Sequence, residues 1–481
     1  GVAEPCLEIE KDVNNVYKYT AKGNLVAVIT NGTAVLGLGD IGPEASKPVM
    51  EGKGLLFKIF ADIDVFDIEV GTKDIEEFIA TVKNISPTFG GINLEDIKAP
   101  ESFEIERRLV EELNIPVMHD DQHGTAIISS AALLNAVELA GKKMEEITMV
   151  ISGAGSAAIA CANLYVSFGV KPENIVMFNS KGALRKDDPK VSEMQRVYAT
   201  DKHFDDLAHA MKGADVFVGL STGDIVTPSM LLGMADNPIV FAMANPTPEI
   251  NYDVAIATRK DIIMATGRSD HPNQVNNVLG FPFIFRGALD VRATKINEEM
   301  KKAAVVALAE LAKESVPEQV NIAYGETKLT FGRDYIIPKP FDPRLIYEIP
   351  PAIAKAAIES GVAQEPIEDW DKYREQLMDR SGIGSKEIRL LHNRAKRSPK
   401  SIVFAEADHL DVLKAAQRVL EEKIGKPILL GRKDVILALK EELGFTAEVP
   451  IYDPKTDEEL ERRNYFATKY WETRQRKGIS L

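Results

Sequence analysis

The sequence predicts an α/β protein built on parallel sheets, with a Rossmann-type, doubly wound dinucleotide-binding domain at its centre. Three observations carry this expectation. Short apolar runs recur at residues 147–152, 174–178, 216–220, 239–244 and 262–265, with helical stretches between them. Such βα alternation means a parallel sheet covered by helices on both faces. The first of these runs ends in Gly153-Ala154-Gly155-Ser156-Ala157-Ala158, which opens a helix. Finally, 481 residues give about three domains at roughly 150 residues each.

Composition narrows the function classes. Hydrophobic residues are 45% and charged residues 27%, ordinary values that exclude a disordered, collagen-like or disulfide-stapled chain. Lys and Arg number 58 against 73 Asp and Glu, a net charge of −15. So acidic a body is a poor binder of phosphate backbones, and no nucleic-acid partner is expected. No stretch reaches the ~20 apolar residues of a membrane helix, so no membrane partner is expected. Cys6 and Cys161 are the only cysteines, which gives no disulfide framework and fits a reducing cytoplasm. The chain starts at Gly1 rather than Met, which leaves open a removed leader or preceding residues.

Taken in order, residues 25–29 and 34–38 are apolar runs joined through Asn31-Gly32, the pattern of a type I′ hairpin. The glycine-rich loop Gly37-Leu38-Gly39-Asp40-Ile41-Gly42 follows. It lies after a hairpin and before Pro43, so it reads as a structural or substrate-side turn. Then come a short helix over 53–60, a strand over 63–70, a helix over 74–84 and a strand over 89–94 that stops at Glu95-Asp96. A long helix of small apolar residues is expected over 125–140, and a continuous helical stretch over 286–313. A Pro-rich passage leads to a helix over 352–360, and residues 366–385 read as a polar connector. After a basic cluster at 394–400, a strand (401–404), a helix (412–422) and a strand (427–430) start one more βαβ unit. The domain divisions expected are 1–125, 126–365, a linker at 366–398, and 399–481.

Gly153-x-Gly155-x-x-Ala158 carries the clearest chemistry. Its first glycine permits a tight turn, its second lets backbone approach a pyrophosphate, and its small third residue lets helix and strand pack. The helix N-terminus then offers free N–H groups to phosphate. The strand after it ends in Asn179-Ser180-Lys181. An NAD site usually has an acid there to bind the ribose hydroxyls. Neutral Asn179, Ser180 as donor and Lys181 as cation, with Arg185 behind them, instead predict a 2′-phosphate and hence NADP.

The second constellation is acidic. Glu95-Asp96 ends a strand, and His119-Asp120-Asp121-Gln122-His123-Gly124-Thr125 precedes a helix. Carboxylates at two loop tips can make an oxygen-rich Mg²⁺ or Mn²⁺ site; the plainer reading is a solvated loop with a helix-capping Asp. His119 and His123 have the i, i+4 spacing of a zinc-hydrolase helix, but no third ligand is evident and Gly124 favours a loop. Lys53 opens a helix and, alone, is a surface lysine. Beside a divalent cation and a nicotinamide its pKa would fall, making it a general base. Asn245-Pro246 follows a strand and Asn276-Asn277 lies in a loop; each is turn chemistry or, at a sheet's carboxyl edge, a ligand contact.

These motifs together resemble malic enzyme. The resemblance rests on Leu36-Gly37-Leu38-Gly39-Asp40, Pro48-Val49-Met50-Glu51-Gly52-Lys53, Asn93-Leu94-Glu95-Asp96, the segment His119 to Thr125, Gly153 to Ala158, Ala244-Asn245-Pro246 and Asn276-Asn277. It spans roughly residues 1–365 in order. Residues from about 400 resemble the start of a phosphotransacetylase domain, and the pairing is similar to bacterial hybrid malic enzymes, in which that domain is regulatory and binds acetyl-CoA.

The resemblance implies NADP-dependent oxidative decarboxylation of L-malate to pyruvate and CO₂ by a cytoplasmic homodimer. It implies Lys53 as base, Asp120 as the residue orienting the cluster, and Glu95, Asp96 and Asp121 as Mg²⁺ or Mn²⁺ ligands. Asn245 and Asn277 would bind substrate carboxylates, with Asn245 also at the cofactor. The family's proton-donating Tyr would fall just before Gly1, and neither Tyr17 nor Tyr19 replaces it. Where larger animal enzymes carry an Arg before the Leu-Gly-Leu-Gly-Asp motif, this chain has Ala34; Arg268 and Lys98 are the candidate cations for malate. The alternative is an acetyl-CoA-sensing protein with an inactive catalytic core.

Overall fold

The computed structural model describes residues 1–326, 329–380, 391 and 394–474. The chain divides into two compact units, Gly1–Ile383 and Gly384–Leu481.

The first unit holds two sheets. In the first, β1 (Leu25–Thr30), β2 (Asp64–Glu69), β3 (Gly91–Leu94) and β4 (Val117–His119) are ordered β2-β1-β3-β4 and every pair is parallel. All of β1 is buried. Alternate side chains serve opposite faces. Leu25, Ala27 and Ile29 pack with Phe78, Val82 and Leu109, while Val26 and Val28 pack with Met50 and Phe57 of the helix Pro43–Ala61. A central strand buried on both faces needs this unbroken apolar run.

That centrality overturns the expected hairpin. β2 and β3 occupy both edges of β1, so no edge is left for residues 34–38. The chain turns away instead. Gly32, at φ +65°, accepts a hydrogen bond from Gly42 N–H (3.0 Å), and Ala34 N–H donates to Asp96 O (3.0 Å). A Cβ on Gly32 would stand 2.1 Å from Gly42 O, so the glycine-rich loop closes directly onto the end of β1.

The second sheet contains β5 (Met149–Ser152), β6 (Ile175–Asn179), β7 (Gly182–Ala183), β8 (Val216–Gly219), β9 (Ile239–Ala242) and β10 (Ile263–Thr266). Their order is β10-β9-β8-β5-β6-β7, with only β6–β7 antiparallel. The chain runs from β5 outward to β6, then returns to lay β8 on the other side of β5. Ligands bind beyond the carboxyl ends of strands at such a reversal.

Several helices depart from expectation. The helix expected from 125 runs Asp120–Leu139, so the acidic pair lies in its first turn and Gly124 lies inside it. A Cβ on Gly124 would meet Asp120 Oδ1 at 2.3 Å, so close packing, not a loop, calls for glycine there. The stretch 286–313 is two helices, Phe281–Asp290 and Glu298–Lys313. Arg292 turns left-handed at φ +49°, and Asn297 Oδ1 caps the second helix at Met300 N–H (3.0 Å). Lys53 lies mid-helix rather than at a start. The expected polar connector contains the helix Trp370–Arg380, whose Tyr373 and Leu377 are buried. Tyr373 donates to Asp290 Oδ2 (2.7 Å), which ties this segment into the first unit. Residues 381–390 and 392–393 of the expected linker lie outside the described residues.

The second unit has its own parallel sheet, β11 (Lys400–Phe404), β12 (Gly425–Leu430) and β13 (Ile451–Tyr452), in that order. Helices Leu410–Glu421 and Lys433–Glu442 bury Leu413, Ala416 and Ile436 against Leu429. Among the described residues, no helix is long and apolar enough to cross a membrane.

Candidate active site

Parallel pairing brings the ends of β1, β3 and β4 to one edge, and the acidic residues gather there. Lys53, buried in its helix, reaches Glu95 Oε1 at 2.8 Å and Asp120 Oδ2 at 2.5 Å, with its ammonium 4.2 Å from the centre of the Phe281 ring. The other Glu95 oxygen accepts from Asn93 Nδ2 (2.8 Å). Asp120 Oδ2 also accepts from Asn277 Nδ2 (3.1 Å), whose Oδ1 accepts from Thr125 (3.1 Å). Asp96 takes a left-handed φ of +53°. Its N–H donates to Asp121 Oδ2 (2.8 Å) while its carbonyl accepts from Ala34; bonding on both sides holds a conformation that non-glycine residues otherwise avoid.

Glu95, Asp96 and Asp121 present carboxylate oxygens within 4.8 Å of one another. Burial pushes the Glu95 carboxyl well above its ordinary range against the pull of Lys53, and repulsion from Asp121, Asp120 and Asp96 adds to the rise. Burial and Asp121 push Asp96 up to about 7. Asp96 Oδ2 is buried without a hydrogen-bond partner. Three hard oxygen donors, crowded, two of them buried and one with an unpartnered oxygen, fit a divalent cation of the Mg²⁺ or Mn²⁺ type.

For Lys53 the structure reverses the expected direction. Burial works against its charge, but Asp120, Glu95 and Asp121 outweigh burial and raise its pKa above the ordinary lysine range. The protein's own groups therefore hold an ammonium.

The two histidines differ. His123 Nε2 meets Glu106 Oε2 at 2.9 Å and its Nδ1 meets Lys301 Nζ at 3.1 Å, which leaves His123 no ring nitrogen for a zinc ion, whereas both ring nitrogens of the buried His119 are without a hydrogen-bond partner; one free imidazole is not the paired ligand set a zinc hydrolase uses. The zinc-hydrolase alternative is set aside on that ground.

At the second sheet, Gly153 turns at φ +126°. A Cβ there would lie 2.6 Å from Leu220 O, whereas Gly155 faces open space. Ala158 is buried against the sheet, and Ala154 O accepts from Gln195 (2.8 Å). Beyond β6, Asn179 Oδ1 accepts from Lys181 N–H (2.8 Å), and Asn179, Ser180 and Lys181 are all exposed. Arg185 is less available than expected, because its guanidinium bonds the carbonyls of Asp201 and Lys202 (3.3 and 3.0 Å). Asn245 joins a cis bond to Pro246. The same loop approaches both Gly37 and Gly267, whose Cβ positions would stand 3.1 and 3.4 Å from Asn245 atoms.

Comparison with known proteins agrees with this architecture. Residues 1–110 match the family described as malic enzyme, N-terminal domain, residues 122–325 match malic enzyme, NAD binding domain, and residues 387–481 match phosphate acetyl/butaryl transferase. The NADP-dependent malic enzyme of Halomonas elongata is 58% identical over 366 residues, 76% of this chain and 87% of that protein. The chain belongs to the malic enzyme family. A crystal structure of malic enzyme from Pyrococcus horikoshii Ot3 superposes with a TM-score of 0.73 at 40% identity, covering 82% of this chain and 90% of that one. The NADP-dependent malic enzyme of Haemophilus influenzae is 53% identical over 483 residues, which is 100% of this chain but only 64% of that protein. The chain thus spans less than two thirds of that relative's length.

Within this malic enzyme fold the candidate malate cations are already committed: Arg268 is paired with Asp270 (2.6 Å) and Lys98 with Glu101 (3.4 Å). Tyr17 lies against Arg292, 4.3 Å from ring to guanidinium. Asn276 caps the turn that follows it, accepting from Val278 N–H (3.0 Å). Sequence reasoning missed two acids, the buried Glu249 and the partly buried Glu106. Glu249 accepts from Ser221 N–H and Ala244 N–H (3.1 Å each) in space that Gly219 leaves open, and so fixes the loops after β8 and β9. Glu106 bonds His119 N–H as well as His123. Neither lies in a motif; each is one acid among many, recognisable only by what it faces.

Proposed function

We propose that the chain catalyses oxidative decarboxylation of L-malate to pyruvate and CO₂ with reduction of NADP, as the catalytic part of a longer cytoplasmic, homodimeric protein. The observation that carries the reading is Lys53 buried between Glu95 and Asp120, directly beside the carboxylate trio. In this reading Lys53 accepts the C2 hydroxyl proton as hydride leaves for the nicotinamide, and Asp120 holds the Lys53 amine in line. Glu95, Asp96 and Asp121 are the residues that would hold Mg²⁺ or Mn²⁺. That cation, when bound, supplies a Lewis acid for the C2 oxygen and offsets the negative charge that keeps Lys53 protonated.

Asn277 has one amide hydrogen left after bonding Asp120, and Asn245 makes no hydrogen bond among the described residues; these amides orient the substrate carboxylates. Asn245 also borders the cofactor crevice. The turn from Gly153 to Ala158 cradles the pyrophosphate, and Asn179, Ser180 and Lys181 take the 2′-phosphate. The likeness of residues 387–481 to phosphate acetyl/butaryl transferase supports acetyl-CoA as regulator of the longer protein. The test is NADPH formation from L-malate with Mn²⁺, on this chain and on one extended at its N-terminus. The reading predicts malate-dependent turnover in the extended chain; none in either chain refutes it.

A further inference from the structure

We propose that Glu106 is a positioning residue for the cation-binding carboxylates, acting through His119 and His123 without touching substrate. The proposal rests on the reading of Glu95, Asp96 and Asp121 as cation ligands. Glu106 lies on the helix Glu101–Glu112, outside every motif above. One of its oxygens accepts from His119 N–H (2.7 Å), and the other faces His123 Nε2 (2.9 Å). A single partly buried carboxylate therefore grips the chain immediately before and after Asp120-Asp121-Gln122. That segment is the first turn of the helix, and its Asp121 side chain in turn holds Asp96 through its N–H. Moving either grip point tilts Asp120 relative to Lys53 and Asp121 relative to Asp96 together.

The hydrogen-bond directions leave no freedom. Lys301 is an ammonium and can only donate, so His123 Nδ1 accepts from it (3.1 Å). The ring hydrogen then sits on Nε2 and points at Glu106, which must accept. Lys301 is anchored by Glu298 (2.9 Å), on the helix Glu298–Lys313. The relay Glu106–His123–Lys301 thus pins the cation-ligand turn between two helices. Burial opposes ionisation of Glu106, yet the His123 hydrogen bond and the Lys301 charge hold its carboxyl below the ordinary range, so it is an acceptor at both oxygens. Partners of this kind behind metal ligands typically change metal affinity by 10–100-fold.

The relay dictates its own test. Glutamine at 106 keeps one acceptor but, whichever way its amide turns, sets an N–H against the His119 N–H or against His123 Nε2–H, donor against donor. Removing the Lys301 ammonium frees His123 to carry its hydrogen on Nδ1 and to accept from that glutamine. We expect Glu106→Gln to weaken Mn²⁺ binding at least tenfold by titration calorimetry, and Glu106→Gln/Lys301→Met to recover most of that loss. NADP affinity should stay unchanged in both. A purely structural role would lower the melting temperature without the recovery in the double variant. Unchanged Mn²⁺ affinity in folded Glu106→Gln, or a double variant no better than the single, overturns the proposal. If circular dichroism shows Glu106→Gln unfolded, His123→Leu, which cuts the relay but leaves Glu106 on His119 N–H, must show the same tenfold loss or the proposal fails. Asp121→Ala runs alongside. If wild-type protein binds Mn²⁺ no better than Asp121→Ala, the reading of the carboxylates is wrong and the role of Glu106 falls with it; if only the Glu106 and His123 variants are silent, that reading stands and this one does not.

Discussion

At the carboxyl edge of the first sheet, Lys53, Glu95, Asp96 and Asp120 are buried, and Lys53 bonds both Glu95 and Asp120. At the carboxyl edge of the second, Asn179, Ser180 and Lys181 are exposed on the hairpin between β6 and β7, and their one internal side-chain bond is local. Both edges are products of parallel pairing, yet they store free energy differently. The acidic edge concentrates like charge where burial and mutual repulsion raise Glu95 and Asp96, so it opposes folding and favours a cation. The cofactor loop costs the fold almost nothing and waits for charge from outside. Substitutions should therefore act differently: at the acidic edge, replacing a carboxylate of the trio removes function while easing repulsion in the fold and replacing Lys53 removes function while worsening it, whereas at the loop they alter selectivity while leaving stability alone.

The largest effect is expected at Asp121. Asp121→Ala removes one of three crowded oxygen donors and should abolish malate oxidation and Mn²⁺ binding. It removes repulsion felt by Glu95 and Asp96 but also the acceptor that holds Asp96 N–H, so the two effects offset and the variant should melt close to wild type in the absence of metal. Calorimetric Mn²⁺ titration with unchanged affinity would falsify the ligand assignment, and a marked drop in melting temperature would break the contrast drawn here.

Lys53→Ala should lower turnover by about 10²–10⁴-fold, the usual contribution of a positioned general base, with NADP binding near normal. It leaves Glu95 and Asp120 facing each other without their shared ammonium, an arrangement that costs on the order of 3–5 kcal/mol when a buried pair is broken. Mn²⁺ should restore part of that stability, seen as a larger metal-induced rise in melting temperature than in wild type. A turnover loss below tenfold would make Lys53 a structural cation only.

How much of this was legible beforehand follows from how each feature is encoded. The second sheet was readable because apolar runs and the Gly153 to Ala158 turn are local signals. Glu95, Asp96, Asp120 and Asp121 were readable because strand ends and helix starts place them at one edge. The hairpin at Asn31-Gly32 was misread because a turn signal says nothing about whether both edges of β1 are already paired. The start of the helix at Asp120 was misread because Gly124 looks like a breaker until the Asp120 carboxylate is seen packed where its Cβ would be. Trp370–Arg380 passed for a connector because only Tyr373 and Leu377 of its residues are buried. Glu106 and Glu249 were invisible because their partners are far along the chain or are backbone N–H groups.

The smallest effect, and the sharpest probe of the exposed edge, is at Lys181. An NADP site must neutralise a 2′-phosphate without an acid nearby. After Phe178 the loop offers Asn179, Ser180 and Lys181, and Arg185 is drawn off to the Asp201 and Lys202 carbonyls. Lys186 is likewise paired with Asp201 (2.8 Å). Lys181 has no ion-pair partner among the described residues, which leaves it as the charge proposed to discriminate. A charge-assisted contact to one phosphate contributes roughly 1.5–3 kcal/mol, or about 10–150-fold in kcat/KM. Lys181→Ala should erase most of the NADP preference by that factor, with kcat/KM for NAD and the melting temperature unchanged, since the side chain supports nothing in the fold. Steady-state kinetics with both cofactors decides it. If wild-type protein uses NAD as well as NADP, the loop has been misassigned; if the preference survives in Lys181→Ala, Ser180 and Asn179 provide it through neutral hydrogen bonds, and the exposed edge is less dependent on charge than the contrast with the buried one implies.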